Sequence, residues 1–215
     1  MLKKFSEFIE EGMWGSALKR SNTGEERRES KDNTQYIDLG LPSGTLWADR
    51  NIGATEPEEY GDFYAWGETE PKNEYTCDNY KWGKKSTKYN KKDGKTVLDP
   101  EDDVVYLKTK GKAHIPTEEQ IKELIDNTTT ENQTINGVAG KLYKSKVNDN
   151  TIFLPYAGDW FFSSSAKRLW SRSCSSSIDS SNHHKVHYLF SGRFSNNIIE
   201  LDRYNGFSVR GVKDK

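Results

Sequence analysis

The sequence predicts an α+β domain behind a short amino-terminal segment, and three observations favour this fold class. From Tyr36 onward, short segments alternate apolar and polar residues between turns that contain Gly or Pro, which is typical of β-strands. One segment, beginning at Thr117, carries strong helix signals. Apolar residues make up only 33% of the chain, but six Trp, eleven Tyr and nine Phe supply large side chains for a core. Many short strands with one or two core helices and long loops form the α+β pattern.

Residues 1–33 are predicted to form an amphipathic helix followed by a linker. Apolar residues recur at helical spacing from Leu2 to Met13, and charged residues occupy the other face. The segment Ser16–Asn33 has no apolar periodicity and is rich in Arg, Glu, Ser and Asn, which favours a solvated linker. The helix is either a strut on its own domain or a segment for docking or oligomerisation. The folded domain is expected over residues 34–215.

Charge and cysteine content exclude several functional classes. A net charge of -1 and a pI near 6.5 provide no field that attracts nucleic acid or an anionic membrane. Glu7, Glu10 and Glu11 interrupt the position that the apolar part of a signal peptide would occupy, so no secretion signal is expected. No apolar run approaches the roughly 20 residues needed to span a bilayer. Cys77 and Cys174 permit one disulfide but do not indicate it.

The first half of the domain is predicted to contain a hairpin, a core segment and a surface excursion. The segment Ile37–Ala48 alternates apolar and polar residues around the turn Pro42–Gly44, which predicts a β-hairpin. Tyr60–Gly67 places aromatic rings between glycines, which suits a compact core segment. Tyr75–Leu98 is rich in Lys, Asn and Tyr and is expected to run over the surface.

The clearest local signal is a helix that begins after Thr117. Thr117 is a candidate N-cap and Gln120 stands three residues later, which is the pattern of a capping box. Ile121 and Leu124 provide an apolar stripe, so the helix should run to about Asp126. Further strands are predicted at Lys141–Val147, Thr151–Leu154, Lys185–Phe190 and Gly206–Val212.

The segment from Arg168 to Gly206 differs in composition from the rest of the chain. It contains one Lys, Lys185, and one Glu, Glu200, although both residue types are common elsewhere. Four of the nine Arg and three of the four His lie within it. Selection for solubility alone does not replace Lys by Arg and His over so short a stretch, so this bias is the main functional clue.

Six short motifs follow one another along the domain: Asp38–Ala48, Tyr60–Thr69, Ile115–Thr117, Phe153–Gly158, Trp170–Ser171 and Gly206–Arg210. Taken in order, they resemble the Fibrobacter-type major paralogous domain family of gut-bacterial and phage proteins. This resemblance implies a C-type lectin-like fold of the formylglycine-generating-enzyme type over roughly 36–212. The leading segments Phe5–Gly12 and Thr23–Arg27 are similar to unsecreted members associated with diversity-generating retroelements.

The resemblance also implies a cause for the unusual composition. In that subset a reverse transcriptase copies a template with errors at adenines, so Asn codons of the form AAY scatter to other amino acids. A retained third-position pyrimidine excludes Lys, Glu, Gln, Met and Trp, whereas Arg, His, Cys, Tyr, Phe, Ile, Leu, Val, Ser and Asp remain accessible. The segment 168–206, which has no Gln or Met, fits a variable region of this kind.

On this basis the variable region divides into ligand-facing and scaffold positions. The candidate ligand-facing residues are Leu169, Arg172, Cys174, His183, His184, Val186, Tyr188, Phe190, Arg193, Ser195, Asn196, Ile198, Ile199, Leu201 and Tyr204. The scaffold residues are Trp170, Leu189, Gly192, Gly206, Phe207 and Val209. A shift of one residue in strand register exchanges the two roles around Tyr188 to Gly192. Ile198, Ile199 and Leu201 could equally form a buried strand.

Metal binding and catalysis are not expected. His183, His184 and His187 could ligate a metal, but no carboxylate or Cys stands at a suitable spacing. The acidic run Asp99–Asp103 fits turns and helix caps better than a calcium site. Cys174 lacks the nearby second cysteine that a formylglycine-generating activity would require. We therefore predict no catalytic residues and no cofactor.

The predicted function is recognition through a diversified surface. The expected partner is a protein or glycan on a bacterial surface, and the expected setting is a phage particle or the cytoplasm, with the amino-terminal helix as a docking segment. The alternatives are an undiversified bacterial lectin-like protein that binds glycans or proteins and, less favoured, a metal-dependent oxidase of the same fold.

Overall fold

The computed structural model describes residues 33–83, 87–158, 170–178 and 181–215, and within 170–178 it describes the backbone and only the side chains of Ser175 and Ser177. The predicted amino-terminal helix lies outside the described residues. The strands are β1 Tyr36–Asp38, β2 Leu46–Asn51, β3 Phe63–Tyr64, β4 Thr128–Ile135, β5 Val138–Ser145, β6 Thr151–Pro155, β7 Trp170–Ile178, β8 Lys185–Gly192, β9 Asn196–Asp202, β10 Phe207–Ser208 and β11 Arg210–Lys213. The helices are α1 Val104–Lys108 and α2 Glu118–Asn127, with a 3-10 helix at Pro100–Asp102.

The described strands form three small sheets. Their orders are β1-β2-β11, β3-β10-β7-β8-β9 and β4-β5-β6, and most neighbours are antiparallel, with β10 and β7 parallel. The described part of the chain is therefore mostly β-sheet with two short α-helices, and it fits the predicted α+β class only loosely. No described helix is long and apolar enough to cross a membrane.

The predicted first hairpin is confirmed. β1 and β2 pair with Ile37 opposite Trp47, and the amide of Gly44 donates to the carbonyl of Leu41 at 2.8 Å to close the turn. β2 also pairs with the distant strand β11, where Val212 lies opposite Trp47. Trp47 is fully buried, so this sheet joins the two ends of the domain.

Helix α2 begins where the capping pattern predicts. The Thr117 side chain accepts a hydrogen bond from the amide of Gln120, and the Gln120 side chain accepts one from the amide of Thr117. This reciprocal pair satisfies two backbone donors that the first helical turn leaves open. Ile121 and Leu124 are fully buried on the apolar stripe. The helix ends at Asn127, one residue beyond the prediction.

The predicted surface excursion at Tyr75–Leu98 is wrong for its aromatic residues. Tyr80, Trp82 and Tyr89 are buried, and they join Trp66 in the main hydrophobic core. Their spacing follows neither a helix nor a strand, so periodicity could not reveal their burial. The polar residues between them remain at the surface and gave the segment its loop-like composition.

Strands β4 and β7 were not predicted. β4 is rich in Thr, Asn and Gln and shows no apolar alternation, and β7 is rich in Ser and shows only a sparse one. Backbone pairing defines both strands: β4 pairs with β5 along its whole length, and β7 lies between β10 and β8. The remaining strand predictions overlap β5, β6, β8, β10 and β11.

Candidate functional site

Strand β8 is buried on both faces, which changes the set of ligand-facing residues. Val186 and Tyr188 are fully buried in the aromatic core, and the Tyr188 ring lies 4.5 Å from that of Phe207. Leu189, on the opposite face, packs into a second core beneath α2. The assignment of Val186 and Tyr188 to the ligand-facing surface is therefore wrong, because both faces of this strand meet packed side chains.

The edge strand β9 contributes packing rather than a free apolar surface. Ile199 and Leu201 are partly buried against the aromatic core, and Ile198 is partly buried against the second core. The structure thus favours the buried-strand alternative over ligand-facing roles for these three residues. The residues assigned to the scaffold that the structure describes with their side chains or as glycines are all buried: Leu189, Gly192, Gly206, Phe207 and Val209.

Candidates before and within β7 are described only in part. Leu169 lies outside the described residues. Arg172 and Cys174 belong to β7, where they pair with Phe190 and Tyr188 of β8. Their side chains lie outside the described part of the structure, and so does the side chain of the scaffold residue Trp170.

The other candidates form two groups at opposite ends of the β8–β9 hairpin. His183, His184 and Tyr204 lie where β8 begins and β9 ends, which we call the cavity end. Phe190, Arg193, Ser195 and Asn196 lie at or beside the turn between the strands, which we call the turn end. β8 has eight residues, so the two ends are separated by roughly 25 Å at the usual rise per residue.

The cavity end contains a pocket of about 190 Å³. It is lined by Cys77, Tyr80, Gly83, His184, Asp202, Arg203 and Tyr204. Cys77 carries a free thiol, and the Asp202 carboxylate pairs with Lys185 at 2.7 Å. Burial and the nearby Asp202 carboxylate raise the pKa of Tyr204, so its phenol stays neutral at physiological pH. The pocket combines side chains of the predicted variable region with side chains from the first half of the domain.

A buried arginine supports this pocket. The guanidinium carbon of Arg203 lies 4.8 Å from the ring centre of Trp66, 5.1 Å from Trp82, 5.5 Å from Tyr80 and 6.0 Å from Tyr89. Aromatic faces attract a cation, most strongly where water is excluded. Arg203 is 2% exposed, so the cage stabilises a charge that has left water.

The same arginine joins two loops at the cavity end. Its guanidinium donates to the carbonyls of Lys88 and His183 at 3.0 Å and to that of Tyr89 at 3.1 Å. It also donates to the hydroxyl of Tyr80 at 3.1 Å. Because these acceptors lie in the loop before β8 and in the segment from Tyr80 to Tyr89, Arg203 fixes the first loop relative to the second.

The acidic run near this end is neutralised by lysines. Among the described residues, Asp99, Glu101 and Asp102 bring three carboxylates close enough to hold one cation. The ammonium of Lys88 lies 2.7, 3.1 and 2.5 Å from these three carboxylates in turn. Asp103 caps α1 by accepting a hydrogen bond from the amide of Tyr106. The run therefore serves as ion pairs and a helix cap.

His187, one of the three histidines considered as metal ligands, lies beside two carboxylates. Its Nδ1 lies 2.9 Å from Glu118 of α2, and its Nε2 lies 3.7 Å from Glu200 of β9. His183 and His184 precede β8 at the cavity end. Within the described residues the three histidines do not belong to a group that could share one metal ion.

The turn end carries an exposed aromatic ring. Phe194 is 91% exposed, and the guanidinium carbon of Arg193 lies 5.9 Å from its ring centre. Phe190 packs instead over Gly192, where an added Cβ would lie 2.7 Å from its ring. Phe194 was absent from the predicted site, because composition alone does not distinguish an exposed Phe from a core Phe.

No protein-family model, curated protein or solved structure matches this chain. The site must therefore be interpreted from its own geometry. The cavity end offers hydrogen-bond donors and acceptors, a thiol and aromatic walls to a small group. The turn end offers a cation and an apolar ring to a larger surface.

Proposed function

We propose that the chain is a binding protein whose C-type lectin-like domain displays residues diversified by a retroelement. The observation that carries this proposal is the separation of two residue classes within the Lys- and Glu-poor segment. Its scaffold residues Leu189, Gly192 and Gly206 are buried, whereas His184 and Arg193 are exposed at the ends of the β8–β9 hairpin. A segment with a fixed interior and exposed ends can change its contacts while keeping its fold.

The proposed setting is a phage particle, on which the protein acts as a receptor-binding or tail-associated component. The amino-terminal segment would dock the domain, and the exposed ends of the hairpin would contact a protein or glycan on a bacterial surface. Aromatic and Arg side chains carry much of the affinity in such interfaces, and Tyr204, Arg193 and Phe194 provide them here.

The coding DNA provides the decisive test. Diversification requires a near-identical template repeat whose mismatches to the coding region fall at template adenines. We expect mismatches in the codons of His184, Arg193 and Ser195, which are exposed at the two ends, and of His183, which is partly exposed. Absence of a repeat, or mismatches spread over all four bases, would overturn diversification.

The same sequencing separates diversification from an undiversified lectin-like protein, which needs no template repeat. The burial of β8 sharpens the test further. Val186 and Tyr188 are fully buried, so their codons should vary little or only among apolar residues. Free variation at these two codons to charged residues would contradict the proposed division into scaffold and contact positions.

The metal-dependent oxidase alternative requires bound metal and an essential thiol. Metal analysis of the purified full chain, combined with Cys77→Ser and Cys174→Ser variants, tests it. We expect no stoichiometric metal in the wild-type protein or in either variant. Stoichiometric iron or copper that is lost in either variant would favour the oxidase.

A further inference from the structure

The backbone of the turn between β8 and β9 is held by side chains from another sheet. The Asn132 side chain on β4 donates to the carbonyl of Arg193 at 3.0 Å. The ammonium of Lys141 on β5 donates to the carbonyl of Gly192. Two consecutive carbonyls of the turn are thus fixed by residues more than 50 positions earlier in the chain.

Both donors are themselves fixed. The Asn132 side chain accepts a hydrogen bond from the hydroxyl of Tyr156, which orients its amide towards the turn. Lys141 is 4% exposed, and burial lowers its pKa. Among the described residues, the Gly192 carbonyl is the hydrogen-bond acceptor for this ammonium. A buried lysine whose charge is directed at a backbone carbonyl is unusual and indicates a specific role.

The hydrogen bonds that define the turn do not use its outward side chains. The amide of Gly192 donates to the carbonyl of Ser195 at 2.9 Å and closes the turn. After the turn, Asn196 donates from its side chain to the Thr130 hydroxyl at 3.0 Å. Arg193, Phe194 and Ser195 are exposed between these attachments. Their side chains can therefore be replaced without removing any of these bonds.

We propose that Lys141 and Asn132 are positioning residues that fix the backbone of the turn 193–195, so that its three side chains can be exchanged while their presentation stays constant. The inference rests on the proposed function, because it identifies this turn as a display element of that binding surface. The donors lie outside the predicted variable region 168–206, so diversification would leave them unchanged.

Amide hydrogen exchange on the full-length protein tests the proposal without a ligand. The reporter is the amide of Gly192, and the amides of Val186 and Leu189 in the same strand report on the sheet as a whole. Lys141→Met removes the charged donor. We expect the exchange rate of the Gly192 amide to rise about 10- to 100-fold, because one hydrogen bond from a charged group is lost. Exchange at Val186 and Leu189 should stay within about threefold of wild type.

Two matched variants complete the experiment. Lys144→Met on the same strand removes an exposed lysine and should leave the Gly192 amide unchanged. A turn variant, Arg193→Ala with Phe194→Ala and Ser195→Ala, should leave both Gly192 exchange and the unfolding midpoint unchanged. Faster Gly192 exchange in the turn variant, comparable to that of Lys141→Met, would overturn the proposal.

A second donor variant keeps the proposal testable if Lys141→Met fails to fold. Asn132→Asp retains the acceptor for Tyr156 but removes the donor to the Arg193 carbonyl, and it should raise exchange across the turn selectively. Unchanged exchange in this variant would overturn the role of Asn132. The DNA test of diversification is independent, so either proposal can fail while the other stands.

Discussion

The two ends of the β8–β9 hairpin present side chains in different ways. At the cavity end, Arg203 lies in an aromatic cage and joins the loops that contain Lys88 and His183, so the pocket depends on buried side chains. At the turn end, Phe194 is almost fully exposed, and the contacts that shape the turn reach its backbone. Substitution should therefore alter fold and binding together at the cavity end, and binding alone at the turn end.

The largest expected effect is the loss of Arg203. Arg203→Met leaves the carbonyls of Lys88, Tyr89 and His183 without their donor in a buried setting, so we expect the free energy of unfolding to fall by about 3 kcal/mol or more. Urea unfolding measures this change. Arg193→Met at the turn end is the matched control and should change stability by about 0.5 kcal/mol or less. Equal losses of unfolding free energy in the two variants would show that the two ends do not differ in their contribution to stability.

A smaller effect is expected from adding one methyl group near the cavity end. In Gly206→Ala the new Cβ would lie 2.6 Å from the buried Tyr75 ring, so we expect a loss of about 1 to 3 kcal/mol in the free energy of unfolding. Gly192→Ala at the turn end meets only the far edge of the partly buried Phe190 ring, which can move aside. Urea unfolding should rank Gly206→Ala as the more damaging substitution, and the reverse order would contradict the comparison.

Acid should weaken the cavity end selectively. Hydrogen-bonded ion pairs, the stronger with Lys88 and the weaker with Lys95, lower the pKa of Asp99 from 3.8 to about 2. A carboxyl whose pKa is lower in the folded state stabilises the protein above about pH 4, and this contribution is lost as pH falls towards 2. The effect should be smaller than the two preceding ones, because the partners are partly exposed.

Thermal unfolding across this pH range checks the sign of the effect. Asp99→Asn should reduce the loss of stability below pH 4, since the titrating group is gone. The control is Asp126→Asn, which removes a carboxylate from an exposed ion pair on α2. It should leave the dependence of the unfolding temperature on pH unchanged. An unchanged profile for Asp99→Asn would show that other carboxyls control the acid transition.

The smallest effect is expected at Phe194. Because its ring is 91% exposed, Phe194→Ala should change the free energy of unfolding by about 0.5 kcal/mol or less. Tyr188→Ala, at a fully buried candidate position, should cost about 3 to 5 kcal/mol. Chemical denaturation of both variants tests whether exposure, rather than membership of the variable segment, decides stability.

Local chemistry determined which elements the sequence could predict. The capping pair Thr117 and Gln120 acts within one helical turn, so it predicted the start of α2 correctly. The Pro42–Gly44 turn likewise predicted the first hairpin. Strand β7 is defined by its pairing with neighbours, since only Trp170, Cys174 and Ile178 interrupt its polar sequence, and this sparse pattern did not predict a strand.

The predicted ligand-facing residues of β8 were wrong because the prediction assumed that one face of this strand is exposed to solvent. Alternation along β8 would separate inward from outward residues only if one face met solvent, but Val186 and Leu189 face two different cores. Composition drew attention to residues 168–206, but it could not show that the exposed positions divide between two ends. That division arises from the pairing of β8 with β9 and from contacts with β4, β5 and the loop before Tyr89.

The central position of β2 has a consequence for folding kinetics. β2 lies between β1, its neighbour in sequence, and β11, whose Val212 pairs with Trp47 across 165 positions. The sheet cannot close until that last strand has been synthesised, and such long-range pairing carries a large loop-closure entropy. A chain still on the ribosome exposes one edge of β2 together with the Trp47 side chain. Folding of this domain should therefore be slow, and the sheet should close only after β11 has left the ribosome.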